Sequence, residues 1–331
     1  MKMLSRTVFC LLFLSLVYSP GFAQKAETNG EIVVPKTYRA PMMSASAELQ
    51  TILNAAVAET FAAFEAKGFK AEEVAATIID VRDPKHLKTA EIRGNERIYP
   101  ASVVKMFYMA ALERQLEDGK IAMTPELERG LKDMIVVSSN EATQYVLDVV
   151  TRTSSGAELP DKDFLLWQNK RNSVNRFFSA MGYANINVNQ KTFCEDAYGI
   201  EQQSRKYKGE NRNMLTTDAT ARLMAEIVTG GIVSADGTKK MMDLMKRDPF
   251  AATTDPDDQA HAFIGMALIE RKMTAAKLWS KAGWTSKTRH DAAYIEMANG
   301  AKFVLVIYTE NHANENKFLP MIAGKVLNAM K

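Results

Sequence analysis

The chain is poor in cysteine and histidine, with two and four in 331 residues. So few cysteines exclude a disulfide-built scaffold. His86, His261, His290 and His312 are widely separated and make no HExxH-type pair, which leaves no sequence-local metal motif. A GxSxG elbow, a Walker loop and a GxGxxG turn are all missing, and nothing local supports a histidine-based serine triad. Neither sign of charge dominates: 42 Lys and Arg face 39 Asp and Glu, a formal net charge of +3. There is thus no basic excess to hold a nucleic-acid backbone, and nucleic acid is not an expected partner. What is present is ordinary globular composition, 47% hydrophobic and 24% charged, enough for a substantial core.

The N-terminus reads as an address. Lys2 and Arg6 precede an apolar run from Val8 to Val17, followed by small residues up to Ala23. That run is shorter than the roughly 18 to 20 residues of a spanning helix. A cleaved signal peptide over 1–23 is expected, with a periplasmic or secreted product and no stable membrane span after processing. Cleavage would leave Cys194 as the only cysteine and a net charge near +1. A monomer is expected.

Residues 24–45 read as a loose leader and 46–331 as one catalytic domain. From Ala47 to Ala66 apolar residues recur at helical spacing, and Gly68 ends that helix. Val74 to Val81 is a strand candidate, and Thr89 to Tyr99 holds one or two more. The middle is helical: Pro125 to Val136 with Thr124 as cap, Ser138 or Ser139 to Val150, Asp161 to Met181, Thr216 to Val228 and Ser234 to Lys246. Strands return at Ala275–Ser280, Ala292–Met297 and Phe303–Thr309, with Asn299-Gly300 as a hairpin turn, before a final helix from Asn316 to Met330. This order predicts an α/β fold: an antiparallel sheet from 46–101 and 270–331, flanked by helices, with an inserted helical subdomain over 102–269.

Ser102-Val103-Val104-Lys105 carries the first chemical signal. Serine needs an adjacent base to act as a nucleophile, and a spacing of three on a helix puts both side chains on one face. Partial burial and a second cation, which Lys281 could supply, would lower the Lys105 pKa enough for it to take the serine proton. Ser138-Ser139-Asn140 is the second signal: a hydroxyl that could protonate a leaving nitrogen and an amide to orient lysine and substrate, although Ser138 also fits a helix cap. S-x-N recurs at Ser173-Val174-Asn175, on a helical face. Lys281-Ala282-Gly283 is the third. Its lysine can attract a substrate carboxylate and its glycine permits close backbone approach, while an edge-strand lysine before a turn glycine explains it as well. Each motif alone is unspecific; their order and their elements are not.

Together they resemble the class A β-lactamase and penicillin-recognising serine hydrolase family. The likeness includes the segments Arg97–Lys105, Asp133–Asn140 and Asn213–Met224, and extends over most of 46–331. The resemblance implies that Ser102 is acylated, Lys105 is its base, Ser138 relays a proton, Asn140 orients these groups and Lys281 anchors substrate. It implies an oxyanion hole from the N–H groups of Ser102 and Trp284, and no metal or organic cofactor. Arg289 lies one position from a carboxylate-binding arginine of some members.

Three departures bear on activity. Ala282 has no hydroxyl where the family has Thr or Ser, the Ser102–Ser138 interval is short, and no E-x-x-L-N supplies a deacylating glutamate. Glu195 and Glu201 are the candidates for that role, and each also reads as a plain surface acid. The expected function is β-lactam ring opening through an acyl-serine. The alternatives are a D,D-peptidase-like hydrolase of cell-wall peptides and a silent binding protein with this fold.

Overall fold

A computed structural model describes residues 31–330; the expected signal segment lies outside the described residues. In chain order the elements are β1 (Met43–Ala45), α1 (Ala47–Ala63), β2 (Val74–Asp80), β3 (Leu87–Ile92), α2 (Lys105–Glu117), α3 (Pro125–Val136), α4 (Asn140–Thr151), α5 (Asp161–Arg171), α6 (Ser173–Ala180), α7 (Ile200–Arg205), α8 (Thr217–Val228), α9 (Ala235–Met245), β4 (Lys246–Arg247), α10 (Ile264–Glu270), β5 (Lys277–Trp284), β6 (Thr288–Glu296), β7 (Lys302–Glu310) and α11 (Phe318–Ala329). Seven strands form one sheet in the order β1-β3-β2-β7-β6-β5-β4. Strands from both ends of the chain therefore meet at the β2–β7 ladder, where Val74 faces Thr309 and Asp80 faces Phe303.

The two faces of the sheet bury different sets of side chains, as the alternation of a strand requires. Ala76, Ile78, Leu305 and Ile307 pack with α1, α10 and α11 on one side. Ala75, Ile79, Val304 and Val306 pack on the other against the apolar faces of α2, α3, α4 and α8. α2 is buried around most of its circumference, from Lys105 to Gln115, and a helix apolar or buried all round belongs at the centre of a domain. Caps fall where side-chain chemistry places them: Thr124 accepts from Leu127 N with Pro125 at the first turn, and Thr216 accepts from Ala219 N. Among the described residues no helix is long and apolar enough to cross a membrane.

Several expectations shift. The leader is not wholly loose, since Met43–Ala45 pairs parallel to β3. The helix expected over Asp161–Met181 is two helices separated at Asn172. The strand expected to stop at Ser280 runs on to Trp284, paired with β6 throughout, so Lys281 is a fully buried strand residue and not an exposed edge lysine.

Candidate active site

The site lies where β5 passes the start of α2. Tyr99 and Pro100 end an extended segment, Ala101 takes a left-handed φ of 47°, and residues Ala101–Val104 form a tight 3-10 turn that runs into α2. Gly283 lies against this turn. A Cβ there would sit 2.7 Å from Pro100 O, 2.8 Å from Ser102 N and 2.9 Å from Val103 N. Only a residue without a side chain allows that approach, which brings the backbone of β5 alongside that of Ser102. The Ser102 side chain is half-buried and its hydroxyl makes no hydrogen bond among the described residues.

Behind the turn, His290 Nε2 lies 2.9 Å from Tyr99 O, and Thr309 N donates to His290 Nδ1 at 3.1 Å. Because Nδ1 accepts, the proton must be on Nε2, which donates to Tyr99. Burial lowers the His290 pKa to about 4, so the neutral ring clamps the segment before Ser102. Nothing in the sequence distinguishes this histidine from the other three.

One turn beyond Ser102, Lys105 is buried and its Nζ reaches Ser138 O at 2.5 Å, Ser138 Oγ at 3.2 Å and Asn140 Oδ1 at 2.9 Å. Burial lowers its pKa to about 7, against the opposing pull of Glu141 and Cys194. Lys281 approaches the same hydroxyl from the sheet, with Nζ 3.0 Å from Ser138 Oγ. Burial, and next the nearby charge of Lys105, hold its pKa well below the usual lysine range.

Ser138 thus accepts from both lysines. A hydroxyl oxygen has two lone pairs; with both engaged, its own proton is directed away from the amines. Ser138 is freed for this by its neighbour. Ser139, not Ser138, caps α4, accepting from Ala142 N at 3.0 Å, while Ser138 adopts a left-handed φ of 60°.

Gln259, which sequence reasoning did not single out, holds Lys281 in place. Its Oε1 accepts from Lys281 Nζ at 2.6 Å and from Ala282 N at 3.2 Å. Its Nε2 donates to Ile135 O at 3.2 Å and Val136 O at 2.8 Å at the end of α3. Ala282 packs with Ala262 and Phe263, and Trp284 borders that cluster. Arg289 turns to the same side: it donates to Ala262 O at 3.0 Å, pairs with Asp257 at 3.3 Å and lies over the Phe263 ring.

The two candidate glutamates separate. Glu201 is buried in an ion cluster, 2.7 Å from Arg171 and 3.3 Å from Lys191, with Ser155 donating to it at 2.9 Å. Burial alone would raise its pKa, but the Arg171 and Lys191 contacts outweigh it and the carboxyl is held below its ordinary range. Glu195 is exposed and lies on the wall of a cavity of about 440 Å³ bordered by Tyr99, Phe193, Arg212 and Thr285. The side chain against Asn140 is instead Cys194, whose Sγ accepts from Asn140 Nδ2 at 3.4 Å. Among the described residues, no carboxylate hydrogen-bonds to Lys105, Ser138 or Asn140.

An open, largely antiparallel sheet with helices on both faces, and a serine–two-lysine cluster between sheet and helical region, define the class. The family model described as "Beta-lactamase enzyme family" matches residues 56–330, and the chain belongs to that family. The fold is similar to that of a β-lactamase from Sphaerobacter thermophilus, with a TM-score of 0.60 and 21% identity over 83% of this chain and 97% of that one. It is also similar to PBP-A, with a TM-score of 0.57 and 16% identity over 88% and 98%. The extended-spectrum β-lactamase TLA-1 has a TM-score of 0.58 and 16% identity over 84% and 98%. No curated protein matches the sequence.

Proposed function

We propose that this chain is an exported acyl-serine hydrolase that opens a β-lactam ring, with Ser102 as nucleophile. The observation that carries the reading is the Ser138 hydroxyl held between Lys105 and Lys281. Neutral Lys105 takes the Ser102 proton as Oγ attacks the lactam carbonyl. The N–H groups of Ser102 and Trp284 receive the developing oxyanion, a role supported by the close passage of β5 at Gly283. The C–N bond breaks, the ring nitrogen takes the Ser138 proton, and protonated Lys105 restores that proton to Ser138. The product is an ester on Ser102 and a secondary amine. Lys281 is assigned to the substrate carboxylate as a hydrogen-bond donor, without the hydroxyl that Ala282 lacks.

Hydrolysis of this ester needs a water activated by a base. The side chain beside Asn140 is a thiol and Glu201 is consumed by an ion cluster, so the acyl-enzyme is expected to persist. This favours the penicillin-binding form of the activity over rapid β-lactam destruction, with a cell-wall peptide as the natural acyl donor. PBP-A, in its L158E form, has been solved as an acyl-enzyme with penicillin G, a chemistry that the present cluster is suited to begin.

The test is intact mass of the mature protein mixed with benzylpenicillin, followed from seconds to hours, with Ser102→Ala as control. An adduct absent from the control and stable for hours supports the reading. An adduct that clears with product accumulating makes the protein a β-lactamase with Glu195 as the first candidate base. No adduct with either a penicillin or a D-alanyl peptide ester rejects acyl transfer.

A further inference from the structure

Away from the Ser102 cleft, a second cavity of about 540 Å³ is walled by amide side chains, among them Gln168, Asn172 and Asn189, together with Leu165, Tyr207 and Arg97. Its size is within the ~300–1,000 Å³ of small-molecule sites. The orientation of its amides is fixed by one backbone group. Val188 N donates to Asn175 Oδ1 at 2.7 Å, so the Asn175 amide nitrogen must donate onward, to Asn172 Oδ1 at 2.7 Å. Asn189 Nδ2 donates to the same oxygen at 2.9 Å, which makes Asn189 Oδ1 an acceptor for Gln190 Nε2 at 3.1 Å. Gln190 Nε2 also donates to Ser204 Oγ at 2.9 Å, and Ser204 passes its own proton to Gln168 Oε1 at 2.7 Å.

For Asn172 the outcome is forced, and Gln168 shares it because Ser204 donates to its oxygen. The oxygens of Asn172 and Gln168 are occupied, and their NH2 groups have no partner among the described residues. Gln168 is only 5% exposed as a residue, and it lines the cavity beside Asn172, so a ligand there could meet both free donors. Apolar surface lies beside these donors: the Tyr207 ring, fixed edge-on by Phe164 with centroids 5.5 Å apart, and Leu165, which is 50% exposed. An occupant that presents hydrogen-bond acceptors together with small apolar faces would complement this wall.

We propose that this cavity binds a saccharide built of N-acylated amino sugars. The acetamido carbonyl is the acceptor for the Asn172 and Gln168 amides, and the methyl group and the CH face of the ring lie on Leu165 and Tyr207. The proposal goes beyond the acyl transfer at Ser102 and does not depend on it.

The test is saturation-transfer and chemical-shift NMR on the mature protein, titrated with the trimer of N-acetylglucosamine, with cellotriose and an N-acetylated alanine tripeptide as controls. Asn172→Asp and Gln168→Glu keep the accepting oxygen and replace only the free donor; Tyr207→Ala removes the apolar face. The expected result is binding of the N-acetylated trimer, at least about tenfold weaker binding of cellotriose, and at least about tenfold weakening by each substitution in protein of unchanged melting temperature. Ser102→Ala should bind the trimer like the parent, whatever becomes of its reaction with penicillin. Failure of the trimer to bind, binding that none of the three substitutions alters, or binding of the tripeptide in its place would overturn the proposal.

Discussion

Cys194 Sγ lies 3.4 Å from the amide nitrogen of Asn140, the residue whose other side-chain atom accepts from Lys105 at 2.9 Å. A thiol therefore fills the place beside the base where a carboxylate could direct water. Cys194→Glu should convert a persistent penicilloyl adduct into a turning-over one. Stopped mass measurements should show deacylation at least about tenfold faster, within the range attributed to a positioned general base. An unchanged adduct lifetime would mean that water is blocked for another reason.

The Lys105 pKa of about 7 gives acylation a pH dependence of known sign. The amine must be neutral to accept the Ser102 proton, so the acylation rate should rise about tenfold per pH unit below 7 and level off above it. Lys105→Met should lower the rate by about 10²–10⁴ and remove that inflection. Rates measured from pH 5 to 9 check both.

Gly283→Ala would put a methyl group within 2.8 Å of Ser102 N. Backbone, not a flexible side chain, is in the way, so β5 must move from the nucleophile. Melting should fall by an amount equivalent to about 1–3 kcal/mol, and acylation should fall further than that loss explains.

His290 links acid sensitivity to the nucleophile. Its folded pKa of about 4 is below the ordinary value near 6.5, so between those values the unfolded chain binds more protons and stability falls as pH falls. His290→Phe should flatten this part of the stability–pH curve while costing about 1–3 kcal/mol for the orphaned Tyr99 O and Thr309 N. Urea melts at pH 7 and pH 5 make the comparison.

Glu201 and Glu195 should part company on mutation. Glu201→Ala takes one of two carboxylates from buried Arg171 and Lys191, leaving both paired with Asp148, and should cost about 1.5–3 kcal/mol. Glu195→Ala, at an exposed position, should leave the melting temperature unchanged. A large acylation defect from Glu201→Ala in protein that remains folded would contradict the structural role given to it here.

Local signals carried much of this fold. Helical periodicity, Thr124-Pro125 and Asn299-Gly300 each specify their element without help from distant residues, and the structure has α1, α3 and the β6–β7 hairpin where they point. β1 left no such signal, because three exposed residues have no apolar alternation to read. Ser102, Lys105, Ser138 and Lys281 were visible as motif letters, and the structure gathers the last three around one hydroxyl. Gln259 and His290 could not be seen. An amide that ties α3 to β5, or an imidazole that ties β6 and β7 to Tyr99, acquires meaning only when segments more than a hundred residues apart meet.

Gln259 has one more consequence. The same side chain caps the carbonyls at the end of α3 and holds a lysine on β5, so helical region and sheet are stitched together at the cleft itself. Any parting of the two would strand a buried amine and two carbonyl groups at once. The cleft is then the last seam to open when the molecule unfolds, and hydrogen exchange at Ala282 N should report global unfolding, not local breathing.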